Sequence, residues 1–132
     1  MNGVRLTVRV DFGADRALGP GKIRLLEAIH KSGSISQAGR SLGMSYRRAW
    51  LLVEDLNRCF RDAVVAKQPG GAQGGGAVLT PFGRALIEKY RCIETQATVA
   101  AKRQLRDLQA ALRGPGRTPK SLKRSIRTAV AR

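Results

Sequence analysis

The chain has 132 residues, of which 42% are apolar, and a formal net charge of +16. This length suits a single domain with appendages, and the chain holds no apolar run of about 18 residues, so we expect no membrane-spanning segment. A charge this large destabilises a compact fold through self-repulsion unless a polyanion relieves it. Nucleic acid is therefore the first partner to consider, and a membrane surface the second.

The residues that could carry catalysis or bind a metal do not cluster. Cys59 and Cys92 lie far in sequence from each other and from the single histidine, His30. This indicates reduced thiols rather than a disulfide or zinc framework. We find no acid–base or metal-binding spacing, so we expect no enzyme, no cofactor and no metal site. The first residues lack the basic start and apolar block of a secretory signal, so we expect a cytoplasmic protein.

The N-terminal part of the chain predicts a strand followed by a helix. Residues 4–12 place an apolar side chain at every even position and a polar one at every odd position, which is the pattern of a half-buried strand. The Gly-Pro-Gly sequence at 19–21 would end this strand. Residues 22–33 then repeat apolar side chains at helical spacing, and the glycine at the end of this stretch would stop the helix.

Two further helices are predicted on either side of a Gly-Met turn. Ser34 begins the first, because a glutamine follows three residues later in a capping-box pattern, and this short helix would extend to about Leu42. Ser45 begins the second, over residues 46–60. The expected core-facing positions of the two helices are Ala38, Leu42, Ala49, Leu52, Val53 and Leu56. Trp50 flanks this stripe, and we expect it to pack in the core.

The next part of the chain predicts a β-hairpin and a long helix. Residues 63–68 and 77–80 have the composition of strands, and they flank a glycine-rich loop over residues 69–76. Thr80 followed by Pro81 then begins the helix. Its apolar side chains repeat every three or four residues: Phe82, Leu86, Tyr90, Ile93, Ala97, Ala101, Leu105, Leu108 and Leu112. A helix of about 30 residues spans roughly 45 Å, more than a domain of this size covers, so we expect a partner helix.

The order of these elements predicts a mainly α fold with a small β component, a winged helix-turn-helix. We assign residues 1–113 to this domain, with an N-terminal strand and a long C-terminal dimerisation helix, and residues 114–132 to a basic tail that we expect to be disordered. In such a motif the second helix lies in the major groove of DNA, with its N-terminal residues at the base edges.

The side chains at these positions suit DNA. Arginine matches the acceptors of guanine, and serine matches phosphate oxygens. The residues expected to contact DNA are Ser34, Ser36, Ser45, Tyr46, Arg47, Arg48, Lys67 and Gln68. For Tyr46, a phosphate contact and packing within the domain remain alternatives.

The most characteristic stretches of the chain are SGSISQAGRSLGMSYRRAW at residues 32–50 and GGAQGGGAVLTPFGRALIEKY at residues 70–90. They resemble the N-terminal domain of the ModE family of molybdate-responsive transcription regulators and, more distantly, the helix-turn-helix of LysR-type regulators. The resemblance runs from about residue 4 to about residue 112. It implies a homodimer that binds double-stranded DNA through residues 45–48 and the hairpin. The dimer would form through the N-terminal strand and the long helix, at Leu86, Tyr90, Ile93, Ala97, Leu105 and Leu108.

Members of this family continue into a molybdate-binding region. We expect this chain to lack one, because nothing in its basic tail can build a folded oxyanion pocket. The resemblance therefore implies a sequence-specific transcription regulator with a link to molybdenum uptake or molybdoenzyme genes. The alternative is an architectural DNA- or RNA-binding protein without sequence preference. The gain in affinity on a specific site over random DNA distinguishes the two.

Overall fold

The computed structural model describes residues 3–68 and 76–114. In these residues the chain forms five helices: α1 (Pro20–Ser32), α2 (Ile35–Ser41), α3 (Tyr46–Cys59), α4 (Pro81–Ala100) and α5 (Lys102–Ala111). They also contain two antiparallel strand pairs: β1 (Val10–Asp11) with β2 (Ala17–Leu18), and β3 (Val65–Gln68) with β4 (Gly76–Leu79). The predicted mainly α fold with a small β component is confirmed. The glycine-rich loop at 69–75 and the tail at 115–132, with its predicted disorder, lie outside the described residues.

Helix α1 lies at the centre of the core, in contact with α2, α3, α4 and β4. It contributes four fully buried side chains: Ile23, Leu25, Leu26 and Ile29. Its neighbours contribute Ala38, Ala49, Val53, Leu56, Leu79, Leu86 and Tyr90. Full burial of a leucine or isoleucine stabilises a fold by roughly 1.5–3 kcal/mol, so the positions of the other helices depend on α1. None of the helices in the described part of the chain is long and apolar enough to cross a membrane.

The N-terminal segment is not the continuous strand that its alternation predicts. Its side chains do alternate between half-buried and exposed, but among the described residues only Val10–Asp11 of this segment pairs with another strand. The segment instead lies against α4 and α5. The Val4 N–H donates to Gln109 Oε1 at 2.7 Å, and the Tyr90 hydroxyl donates to the Val8 carbonyl oxygen. Helices can cover the apolar face of an extended segment as well as a second strand can, so alternation alone does not identify the neighbour.

The start of α1 also differs from the prediction, while its end agrees. The helix begins at Pro20, inside the Gly-Pro-Gly sequence that we expected to be a break. Proline suits the first helical position because its φ is already helical and the missing N–H would have no partner within the helix. At the other end Gly33 has φ 73°, and its N–H donates to the Ile29 carbonyl oxygen at 2.7 Å. Only glycine adopts this left-handed conformation without strain.

The predicted caps of three helices are confirmed. Ser34, Ser45 and Thr80 each accept a hydrogen bond from the backbone N–H three residues later, at 2.9–3.1 Å. Removing such a cap costs roughly 1 kcal/mol. The prediction that Leu42 faces the core is wrong, because α2 ends one residue earlier and the side chain is 37% exposed.

The helices α2 and α3 approach each other closely at one glycine. A Cβ atom added to Gly39 would lie 2.9 Å from the Ala49 Cβ, a separation that side-chain carbons do not reach. Both residues are buried. The absence of a side chain at Gly39 therefore sets the spacing of the helix-turn-helix.

The predicted long helix is interrupted at one residue. Helix α4 ends at Ala100 and α5 begins at Lys102, while Ala101 has φ −96° and ψ 9°. Two hydrogen bonds of 2.9 Å continue through this point, from the Ala101 N–H to Ala97 and from the Leu105 N–H to Ala101. The interruption is therefore a bend rather than a separation of the two helices.

An ion pair joins α4 to α1. The Arg91 guanidinium donates to both carboxylate oxygens of Glu27, at 3.0 and 2.7 Å, and to Glu94 at 2.7 Å. These hydrogen bonds, first to Glu27 and then to Glu94, raise the pKa of Arg91 above its ordinary value. Because the side chains of Arg91 and Glu27 are each 39% exposed, solvent screens much of the attraction. The bidentate geometry contributes mainly to the orientation of α4 on α1.

Helix α4 begins directly against the backbone that precedes β3. The Thr80 N–H donates to the Val64 carbonyl oxygen at 3.0 Å. A Cβ atom on Gly83 would overlap that same oxygen. Glycine at this position therefore allows the first turn of α4 to approach the Val64 backbone.

We predict that Gly83→Ala destabilises the protein by roughly 1–3 kcal/mol, because the new methyl group forces the Val64 carbonyl away from Thr80. The matched control is Gly21→Ala in α1, where an added Cβ meets nothing within 4 Å. That change should be neutral or slightly stabilising, since alanine is the better helix former. Urea unfolding of both variants measures the difference, and equal midpoints would contradict the prediction.

We also predict that the contribution of Tyr90 to stability disappears in alkali. Burial raises the pKa of its hydroxyl above the ordinary value of 10.0, and the charge of Glu94 raises it further. The hydroxyl therefore stabilises the fold fully below pH 10, and the contribution is lost as the pH rises through the folded-state pKa. Tyr90→Phe should cost roughly 0.5–1.5 kcal/mol at pH 8 and less at pH 11.

Urea unfolding of the parent and the phenylalanine variant at pH 8 and pH 11 tests this expectation. The matched control is Tyr46→Phe, because Tyr46 is 57% exposed and loss of its hydroxyl should cost little stability at pH 8. A parent-to-variant difference for Tyr90→Phe that is the same at both pH values would show that this hydroxyl does not titrate with unfolding.

Candidate nucleic-acid interface

The first two turns of α3 form an exposed, positively charged surface. Ser45 caps this end, and Tyr46, Arg47 and Arg48 after it are all exposed. The first acidic residue of the helix is Glu54. The partial positive charge of the helix N-terminus adds to the two guanidinium groups, so this surface suits an anionic partner.

A groove of about 540 Å³ separates α3 from the β3–β4 hairpin, which we call the wing. Residues from four elements, α2, α3, β3 and β4, line it, among them Ile35, Ser36, Tyr46, Trp50, Lys67 and Gln68. The groove thus brings together four of the eight residues predicted to contact DNA, namely Ser36, Tyr46, Lys67 and Gln68. Ser45 lies outside it, with Arg47 and Arg48. Arg47 and Arg48 line the adjoining side of α3 instead, next to Leu51 and Asp55.

The wing carries its predicted contact residues at the end of its first strand. Lys67 and Gln68 are exposed, and they pair across the hairpin with Ala77 and Gly76. The lysine adds a positive charge on the side of the groove opposite α3. Among the described residues that line the groove, Lys67 is the basic one, and Glu54 of α3 lines it as well. The cations of α3, Arg47 and Arg48, lie on the adjoining side of that helix, so a phosphate backbone would meet basic side chains on the wing and on that side of α3.

The predicted contacts from α2 are less free than those from α3. The Ser34 hydroxyl caps α2, and the Ser36 hydroxyl accepts a hydrogen bond from Arg40 Nη2 at 3.1 Å. Both serines are half-buried, whereas Arg40 is exposed. The sequence analysis did not include Arg40 among the residues expected to contact DNA. Its position four residues after Ser36 could have shown that the two side chains are neighbours on one face of α2.

The prediction that Trp50 packs in the core is wrong. Its side chain is 41% exposed and lies in the groove one helical turn after Tyr46. The buried positions of α3 are Ala49, Val53 and Leu56. Trp50 follows Ala49 by about 100° around the helix axis, which turns the indole away from the core and towards the wing. Tyr46 is 57% exposed, so it does not pack in the core either.

A polar side chain that the sequence analysis missed holds the wing to α3. Asn57 Oδ1 accepts hydrogen bonds from the Val64 N–H at 2.7 Å and the Val65 N–H at 3.1 Å. Its Nδ2 donates to the Val65 carbonyl oxygen at 3.1 Å. Asn57 is half-buried. The sequence signal for its role is weak, because it consists only of an asparagine directly after Leu56 near the end of an amphipathic helix.

The chemistry of the site is that of binding. Across residues 3–68 and 76–114, no group of three or more His, Cys, Asp or Glu side chains could hold a metal ion. The thiols of Cys59 and Cys92 are free. The groove offers ammonium, hydroxyl and amide groups, and the adjoining side of α3 offers the guanidinium groups of Arg47 and Arg48. All of these groups can donate hydrogen bonds to phosphates and base edges.

Comparison with known proteins gives the family. No protein-family model matches the chain. It is 36% identical over 105 residues to the molybdenum transport protein ModE of Azotobacter vinelandii, which covers 78% of this chain and 39% of that protein. It is 48% identical over 77 residues to the molybdenum-pterin-binding protein MopB of Rhodobacter capsulatus, covering 58% of this chain and 28% of that protein.

A third relative carries the name of a regulator. The chain is 44% identical over 71 residues to the DNA-binding transcriptional dual regulator ModE of Escherichia coli K12, covering 54% of this chain and 27% of that protein. The chain thus spans 39% or less of the length of these three curated relatives. These similarities confirm the resemblance seen in the sequence, and the helices and the wing agree with it: the chain carries a ModE-family N-terminal domain.

Proposed function

We propose that this chain is a sequence-specific DNA-binding transcription regulator of the ModE type. One observation carries the proposal: the first two turns of α3 are exposed, basic and free of acidic residues, and they lie beside the exposed Lys67 and Gln68 of the wing. In this arrangement α3 enters the major groove and the wing lies on the neighbouring phosphate backbone.

The charge along α3 fits this placement. The helix has 14 residues and is roughly 21 Å long, whereas the major groove is about 12 Å wide. Only the first eight residues of α3 therefore need to lie in the major groove. Glu54 and Asp55 follow directly after them, where their charges repel phosphates and limit how far the helix enters.

Each exposed polar side chain of this surface has a role. Arg47 and Arg48 donate to base edges, and guanine is the base that an arginine fork matches best. Tyr46 donates a hydrogen bond to a phosphate oxygen or to a base edge in the major groove. Lys67 and Gln68 contact the phosphate backbone from the wing. These contacts fix both register and sequence preference.

The names of the relatives support a link to molybdenum. Two of them are a molybdenum transport protein and a molybdenum-pterin-binding protein. We therefore propose that the regulated genes serve molybdenum uptake or molybdoenzymes. Selection of bound sequences from random duplexes tests the function itself: a regulator enriches one site, and an absence of enrichment would favour the architectural alternative.

We propose further that the protein acts as a homodimer. Leu86 and Tyr90 are buried in their own domain, so any partner must contact the apolar side chains after them. Three members of the predicted apolar stripe are exposed there, namely Ile93, Leu108 and Leu112, at 43%, 59% and 61%. A two-fold axis along α4 and α5 would place two α3 helices in major grooves about 34 Å apart, on a roughly palindromic site.

We predict that Arg47→Ala and Arg48→Ala each weaken binding to the selected site by roughly 1–3 kcal/mol and relax its sequence preference. The matched control is Arg58→Ala, an exposed arginine in the last turn of the same helix, which should change specific binding little. Titration of labelled duplexes at fixed salt measures all three. Arginine variants that bind like the parent on both selected and random DNA would show that α3 is not the reading helix.

We predict that Leu108→Glu produces monomers that bind half-sites weakly, because a buried carboxylate at the helix seam is unfavourable. The matched control is Val99→Glu. Val99 is 67% exposed but lies nine residues after Tyr90, on about the opposite face of the helix, and should leave the dimer intact. Analytical ultracentrifugation of both variants measures whether each is a monomer or a dimer. The seam is assigned wrongly if Val99→Glu dissociates the protein and Leu108→Glu does not.

A further inference from the structure

Two aromatic side chains lie on the exposed surface of α3. Tyr46 and Trp50 are 57% and 41% exposed, and both line the groove between α3 and the wing. They lie one turn apart on the same side of the helix. Their apolar surface contributes little to the core, which α3 reaches through Ala49 and Val53 instead.

The residues around Trp50 indicate which kind of partner could contact its exposed indole. Trp50 lies on the first two turns of α3 and lines the groove together with Glu54. The nearby cations are Lys67 of the wing, which lines the same groove, and Arg47 and Arg48 on the adjoining side of α3. These cations attract a nucleic acid. At the base edges of the major groove, the apolar group that a duplex displays is the C5-methyl group of thymine.

The spacing along α3 gives the position of this contact. Trp50 comes three residues after Arg47, which is roughly 4.5 Å along the helix axis. Neighbouring base pairs are about 3.4 Å apart. A thymine that meets the indole should therefore lie within about two base pairs of the base that Arg47 contacts.

We propose that Trp50, with Tyr46 beside it, reads thymine in the bound DNA through contact with its C5-methyl group. This inference rests on the proposed function, because it assigns a specificity-determining residue to the same interface. Trp50 supplies apolar readout, and the arginines supply hydrogen-bond readout of the neighbouring bases.

Uracil scanning of the selected site tests the proposal with the unaltered protein. Each thymine is replaced singly by deoxyuridine, which removes only the methyl group. We expect a loss in affinity of roughly four-fold at one or two positions in each half-site, the value of one buried methyl group. The other thymines should tolerate the replacement.

The same scan with Trp50→Ala assigns the effect to the indole. This variant should bind the thymine and uracil duplexes equally well at the sensitive positions. The matched control is Leu51→Ala, because Leu51 is also 41% exposed but lies beside Arg47 and Arg48 rather than in the groove. It should keep the preference for the methyl group.

The outcomes separate this inference from the function on which it rests. Failure to select any preferred site would contradict both. A preferred site that tolerates uracil at every position would overturn the inference and leave the function standing. So would a methyl preference that persists in Trp50→Ala or disappears in Leu51→Ala.

Discussion

The position of the wing on α3 depends on two backbone units, Val64 and Val65. Asn57 binds both of their N–H groups and one carbonyl oxygen from the α3 side. Thr80 binds the Val64 carbonyl oxygen from the α4 side. In the described part of the chain, β3 pairs only with β4, so no larger sheet fixes the hairpin. Leaving such a buried backbone group unpaired costs roughly 1–3 kcal/mol.

This attachment has a consequence for the groove. One wall of the groove is α3 and the other is the wing, and Asn57 belongs to the first while it holds the second. The width of the groove therefore depends on this amide side chain, and on the hydrogen bond from the Ala77 N–H to the Gly33 carbonyl oxygen at 3.0 Å, rather than only on the residues that would touch DNA. The close approach of α4 at Gly83 fixes the same backbone from the other side.

The features that were predictable from sequence are local. Ser34, Ser45 and Thr80 cap their helices because a side-chain oxygen and an N–H three residues later need no other part of the chain. The wing was predictable because its strands flank a glycine-rich loop. The surface positions of Arg47 and Arg48 follow from the amphipathic pattern of the helix that contains them.

The features that were not predictable depend on distant parts of the chain. The role of Asn57 depends on the backbone of Val64 and Val65, which comes back to α3 only after that helix has ended. Periodicity located Trp50 at the edge of the apolar stripe, but whether this edge is exposed depends on where the wing lies. The alternation of the N-terminal segment identified its apolar face, yet the element that covers it, α4 and α5, lies at the other end of the sequence.

The hydrogen bond between Val4 and Gln109 closes a separation of 105 residues. During synthesis at roughly 5–20 residues per second, the N-terminal segment therefore waits on the order of 5–20 s before its partner in α5 has been made. Contacts between neighbouring helices, such as α1 with α2 and α2 with α3, need no such delay. The helix-turn-helix can thus assemble on the ribosome early, while the apolar face of the first residues remains in water until α4 and α5 emerge.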